Sequence, residues 1–133
     1  MDDAVRIRQD ALAMAAIGFL AANLLHGVDH IRQHLAGVNA AVGIGGAMLT
    51  AAAVAAVIVA LREDPRTPFV ATVVGFTSAI LVAQAHLAPH WSVFSDSYVD
   101  DVHVDGLSWA VVLLEIAAAA ILGAVGLYRM RRA

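Results

Sequence analysis

Residues 106–128 read GLSWAVVLLEIAAAAILGAVGLY, and this run decides the class of the protein. An α-helix needs about 20 mostly apolar residues to cross the hydrocarbon core of a bilayer. The run has that length, and its single charged side chain is Glu115. It therefore predicts a transmembrane helix.

Three further runs have the same character, so the chain contains four predicted spans: 11–31, 38–61, 69–88 and 106–128. Of the 133 residues, 61% are hydrophobic and 14% charged, whereas soluble domains are about 45–50% apolar and about 25% charged. Polar loops join the spans, the longest at 89–105, and residues 62–68 hold two prolines. We predict an all-α integral membrane four-helix bundle, up-down-up-down, formed by one domain over 1–133.

The arginines predict the orientation in the membrane. In this topology seven of the eight basic residues fall at one end, namely Arg6, Arg8, Arg62, Arg66, Arg129, Arg131 and Arg132. Only Arg32 falls at the other end. The positive-inside rule places the arginine-rich end in the cytoplasm. We therefore expect a multi-pass protein of the cell membrane, with both termini cytoplasmic and the loops at 32–39 and 89–105 outside.

Composition also limits the partners. The chain has no cysteine, which excludes disulfides and thiolate metal sites. A net charge of −3 without a basic face argues against nucleic acid. The lipid bilayer is the expected partner. Glycines in the second and fourth spans suit close helix contact, which permits a homo-oligomer or a larger membrane complex; they are Gly43, Gly45, Gly46, Gly123 and Gly126.

The six histidines all map to the predicted outer end. Two pairs, His26 with His30 and His86 with His90, are spaced by four residues. On a helix this spacing puts both imidazoles on one face, where two nitrogens can reach one metal ion. Pro89 disfavours helix at its preceding residue, so the second pair has the less certain geometry. Both pairs are candidate metal ligands, whereas His34 and His103 are interpreted as interfacial side chains.

Two acids join the candidate site. Asp29 lies beside His30 and could bind a metal or orient an imidazole. Glu115 lies about 13 Å below the outer edge of its span, at ~1.5 Å per residue. An ionisable group at that depth favours a functional role, here a catalytic proton acceptor or a partner behind a ligand. The alternative is a protonated structural glutamic acid that clamps the fourth helix to the first. Asn23 lies at a similar depth and is expected to hydrogen-bond to Glu115.

These residues favour a transition-metal site at the outer mouth of the bundle. Nitrogen and carboxylate ligands suit zinc, copper(II) or iron, and an open position on the metal would permit enzymatic activity. One alternative is a haem b electron carrier with two histidine ligands. Another is a subunit of a proton or metal-ion transporter, or a pH-sensing protein. The sequence leaves the choice between enzyme and binding protein open.

Overall fold

The computed structural model describes residues 3–33, 40–101 and 104–132, and side chains from residue 10 onward. Over these residues it is all-helical, without strands. The helices are α1 (Asp3–Arg32), α2 (Ala40–Leu61), α3 (Thr67–His86) and α4 (Gly106–Met130). All four are long and apolar enough to cross a membrane. The predicted fold is confirmed, and the protein is a multi-pass membrane protein.

The helix ends differ from the predicted spans in ways that local chemistry explains. α1 begins at Asp3, because its polar first residues continue the helix beyond the span that starts at Asp10. α3 begins at Thr67 and includes Pro68, since proline is tolerated in the first turn. The same helix ends at His86, two residues before the predicted 88.

Consecutive helices pack as neighbours, and α3 and α4 share the most extensive contact. Glycines bring these two helices together. A Cβ added at Gly126 would lie 2.6 Å from the Pro68 carbonyl oxygen, and one added at Gly75 would collide with the backbone of Gly123. This confirms the contact predicted for the glycines of the fourth span.

The glycines of α2 behave differently. A Cβ added at Gly43, Gly45 or Gly46 would have no neighbour within 4 Å. Within the described part of the chain, these three glycines therefore do not bring helices together. α2 is the least buried of the four spans. Its buried residues are alanines in its second half, Ala53, Ala56 and Ala60.

The bundle is apolar on its outside as well as in its core, unlike a soluble protein. The core far from the histidines is built from small residues around a few large ones, such as Phe19 and Leu122. Many large aliphatic side chains are exposed on the helices, including Ile44, Ile80 and Ile121. Exposed apolar surface of this extent on every helix suits contact with lipid.

The turn between α2 and α3 closes in a Schellman arrangement. Asp64 N–H donates to the Val59 carbonyl at 3.1 Å, and Glu63 N–H donates to that of Ala60 at 3.1 Å. Glu63 adopts φ 54°, a left-handed position that glycine usually fills. The charged turn thus ends α2 without a glycine.

At the opposite end, Arg32 ties α1 to α4. Its guanidinium donates to both Asp105 carboxylate oxygens, at 2.9 and 3.0 Å, and to Asp29 at 2.7 Å. Asp105 also accepts from the backbone N–H of Ser108 and so caps α4. The Ser108 N–H and then Arg32 lower the pKa of Asp105 to about 2. The one basic residue predicted for this end is therefore paired with acids.

Candidate metal centre

Three imidazoles meet at the end of the bundle that holds the Arg32 pairs, hereafter the histidine end. His26 and His30 lie one turn apart on α1, and His86 is the last residue of α3. One ligand atom from each ring lies within 4.8 Å of the others. The ring centroids are 4.6 Å apart for His26 and His30, 4.8 Å for His26 and His86, and 5.4 Å for His30 and His86. This histidine trio is close enough to bind one metal ion.

The trio is shielded from the surroundings, though not uniformly. His26 and His86 are 5% and 4% exposed, whereas the His30 side chain retains 18%. Polar groups buried at this depth need hydrogen-bond partners. His26 and His86 each have one, and the Asp96 carboxylate lies 3.6 Å from His30 Nδ1.

Glu115 is the partner of His26. Its carboxylate, 1% exposed, accepts from His26 Nδ1 at one oxygen and from Asn23 Nδ2 at the other, the latter at 2.8 Å. The predicted bond between Asn23 and Glu115 is confirmed. Thr50 of α2 in turn donates to Asn23 Oδ1 at 2.7 Å. In this series of hydrogen bonds, from Thr50 through Asn23, every donor points toward the Glu115 carboxylate. His26 also donates to that carboxylate when its proton lies on Nδ1, so this tautomer of His26 is favoured.

Asp96 is the partner of the other two rings. Its backbone carbonyl accepts from His86 Nδ1 at 2.9 Å. Its carboxylate lies 3.5 Å from the same nitrogen and 3.6 Å from His30 Nδ1. Thus Nδ1 of every histidine in the trio faces an acceptor.

The loop that carries Asp96 is fastened to the end of α3. Asp96 N–H donates to the Ala85 carbonyl at 3.0 Å, and Tyr98 N–H donates to that of His86 at 2.9 Å. These bonds satisfy carbonyls that the last turn of a helix leaves without partners. The loop therefore closes α3 and brings Asp96 and Tyr98 to the trio in one step.

Tyr98, like Asp96, lies at the trio but is not among the site residues that the sequence predicts. It is 3% exposed, and its ring lies 4.6 Å from that of His86 and 5.8 Å from that of Trp109. Burial raises its pKa to about 12, so the phenol keeps its proton. Its oxygen lies 3.3 Å from His26 Nε2. No spacing in the loop sequence signals this contact, because it depends on how the loop folds back.

Two predicted ligands lie apart from the trio. Asp29 is buried, and its oxygens accept from Arg32 at 2.7 Å and from Gln33 at 2.6 Å. His90 follows the end of α3 and is exposed, and its backbone N–H donates to Asp100 at 2.7 Å. His34 and His103 lie outside the described residues.

Comparison with protein-family models, with curated proteins and with solved structures finds no match for this chain. The fold and the trio define a multi-pass, all-α membrane protein with a histidine cluster able to hold a metal ion.

Proposed function

We propose that this membrane protein binds one divalent transition-metal ion through His26, His30 and His86. The observation that carries the proposal is the trio itself: three buried or half-buried imidazoles from two helices, with one ligand atom of each within 4.8 Å. Packing three imidazoles together in a membrane protein is costly unless they bind something, because they cannot all be charged and each must satisfy two nitrogens.

The surrounding acceptors support metal binding over simple packing. Metal-binding histidines usually donate their second ring N–H to a carboxylate or a backbone carbonyl, which fixes the tautomer and the ring. Here Glu115 serves His26 in this way, and Asp96 serves His86 and lies near His30. The three Nε2 atoms are then the ones that we assign to the ion.

Charge supports a divalent ion. The three imidazoles are neutral ligands, and the carboxylates of Glu115 and Asp96 lie just behind them. Two negative charges offset a doubly positive ion, which lowers the cost of holding it away from water. Nitrogen ligands without thiolates suit zinc, copper(II) or iron(II).

The described residues supply three ligands, which leaves room for a fourth. In zinc proteins, structural sites use four protein ligands, whereas catalytic sites use three and keep one position for water or substrate. The proposed centre resembles the second kind, which supports a membrane metalloenzyme. In this centre we assign Glu115 the task of orienting His26. This is the specific form that we propose for the catalytic role predicted for Glu115.

The ring spacing favours an ion over haem b. A haem with two histidine ligands stands between its axial rings, so those rings cannot pack against each other. The rings of the trio are 4.6–5.4 Å apart. Transport of protons or metal ions, and an oligomeric assembly, stay predictions. We further propose that the histidine end faces outward, on the strength of the arginine distribution.

The test is the metal content of the purified protein in mild detergent. We expect about one zinc, copper or iron per chain by elemental mass spectrometry, and its loss in His26→Ala, His30→Ala and His86→Ala. His90→Ala is the matched control, an exposed histidine at the same end, and we expect it to keep the metal. Asp29→Asn tests its predicted ligation in the same way.

The possible outcomes of this test distinguish the proposed site from the alternatives. A native protein that stays metal-free after incubation with each ion and desalting refutes the proposal. Loss of metal from His90→Ala would mean that the predicted second pair binds the ion instead. Iron with the visible spectrum of a haem would support the electron carrier.

A further inference from the structure

The hydrogen bonds around Tyr98 have a fixed direction. The Gln33 amide donates to the Tyr98 oxygen at 3.4 Å and to Asp29 at 2.6 Å. An amide NH₂ group can only donate, so the phenol proton must point to another acceptor. That acceptor is His26 Nε2, at 3.3 Å, because His26 Nδ1 carries the proton given to Glu115.

His26 Nε2 is also the atom that we assign to the metal. Once an ion occupies its lone pair, this nitrogen can no longer accept from Tyr98. The phenol proton then needs another acceptor. It stays beside the ion, because the Gln33 amide still donates to the phenol oxygen. An unpaired hydroxyl here would be costly, because Tyr98 is 3% exposed.

We propose that the Tyr98 hydroxyl donates a hydrogen bond to whatever fills the open position of the metal. The inference rests on the proposed function. It also defines the class of ligand: a small group that binds the metal and accepts a hydrogen bond, such as water, hydroxide or a small anion. A ligand without a free lone pair beside the metal would leave the phenol unsatisfied.

Neighbouring side chains also restrict where the Tyr98 hydroxyl can lie. The Tyr98 ring lies 4.6 Å from that of His86 and 5.8 Å from that of Trp109, so the phenol has little freedom to turn away. Asp29, which accepts from Gln33, is itself held by Arg32. The hydrogen bonds that hold Tyr98 therefore extend through Gln33 and Asp29 to Arg32.

The test uses cobalt(II) as the metal and azide as the ligand of the open position. Azide is small, binds metals and accepts hydrogen bonds, and cobalt(II) reports its binding in the visible spectrum. We expect native protein and Tyr98→Phe to bind equal amounts of cobalt(II). We expect azide to bind Tyr98→Phe about tenfold more weakly, as the loss of one hydrogen bond implies. Tyr128→Phe, the same change at the other tyrosine, should match the native protein.

A second measurement leaves Tyr98 itself unchanged, so it does not depend on whether Tyr98→Phe folds correctly. The chain has two tyrosines, so Tyr128→Phe leaves Tyr98 as the only one. Its ultraviolet resonance Raman bands should shift when azide is added to the cobalt(II) protein, because the acceptor of the phenol changes.

The outcomes separate the two proposals. If the native protein binds no cobalt(II), the metal site itself fails. Equal azide affinity in native protein and Tyr98→Phe, or Raman bands that do not shift when azide is added, would overturn the role of Tyr98. Neither result would count against the metal site itself. Loss of cobalt(II) from Tyr98→Phe would also overturn it, because Tyr98 would then be a ligand or a packing residue.

Discussion

Replacing Glu115 by glutamine tests whether this carboxylate orients His26, because the change keeps the shape of the side chain and removes its charge. The carboxylate accepts two hydrogen bonds, one from Asn23 at 2.8 Å and one from His26. Glutamine offers one acceptor and one donor. If its oxygen faces Asn23, its NH₂ group faces His26 Nδ1 and forces the proton to Nε2, where the metal should bind.

The alternative orientation also has a cost. If the glutamine oxygen faces His26, the Asn23 amide must turn over, and Thr50 must then accept where it now donates. In either case the imidazole loses a negatively charged partner, which lowers its basicity. Loss of such a partner behind a ligand typically weakens metal binding 10–100-fold, or about 1.4–2.8 kcal/mol.

The assay is zinc affinity in detergent, measured by competition with a chelator. Glu63→Gln is the matched control, since Glu63 is the only other glutamate and lies exposed in the turn between α2 and α3. A double-mutant cycle adds a second check: in a His26→Ala background, Glu115→Gln should have almost no further effect. Unchanged zinc affinity in Glu115→Gln would refute the reasoning. An equal loss in both backgrounds would show that Glu115 does not act through His26.

Three further predictions concern the fold. Gly126→Ala should destabilise the protein by ~1–3 kcal/mol in detergent melting experiments, because its Cβ meets backbone at 2.6 Å. Gly43→Ala, with open space around it, should not. The lowered pKa of Asp105 means that its hydrogen bonds stabilise the fold above pH 3.8 and that this contribution is lost as the pH falls through about 2. Asp105→Asn should therefore lack this part of the acid-induced fall in melting temperature, and an identical fall in both proteins would contradict the assignment. In intact cells an impermeant maleimide should label Ser97→Cys but not Glu63→Cys, and the reverse pattern would invert the predicted topology.

The sequence predicts the four helices well, because spans in lipid depend mainly on length and apolar character. Residues 106–128 and α4 begin at the same glycine. The i,i+4 spacing of His26 and His30 likewise predicts a shared helix face, and their rings are close. Periodicity within one helix is enough for both results.

Contacts that depend on loops are different. His86 and His90 have the same spacing, yet α3 ends at His86, so helical periodicity no longer relates the two. The partners of the trio, Asp96 and Tyr98, reach it through backbone bonds to Ala85 and His86. Such bonds use groups that every residue has, so the sequence does not reveal them.

Thr50 gives α2 a constraint that its sequence otherwise lacks. It is the only polar side chain of that helix, and it donates to Asn23 at 2.7 Å. In lipid, apolar surface gives a helix little preference for one rotation about its own axis. The rotation of α2 about its axis therefore depends on its alanine contacts and on this one hydroxyl. Any rearrangement at Glu115 that turns over the Asn23 amide changes the hydrogen bond of Thr50 and so alters what fixes that rotation.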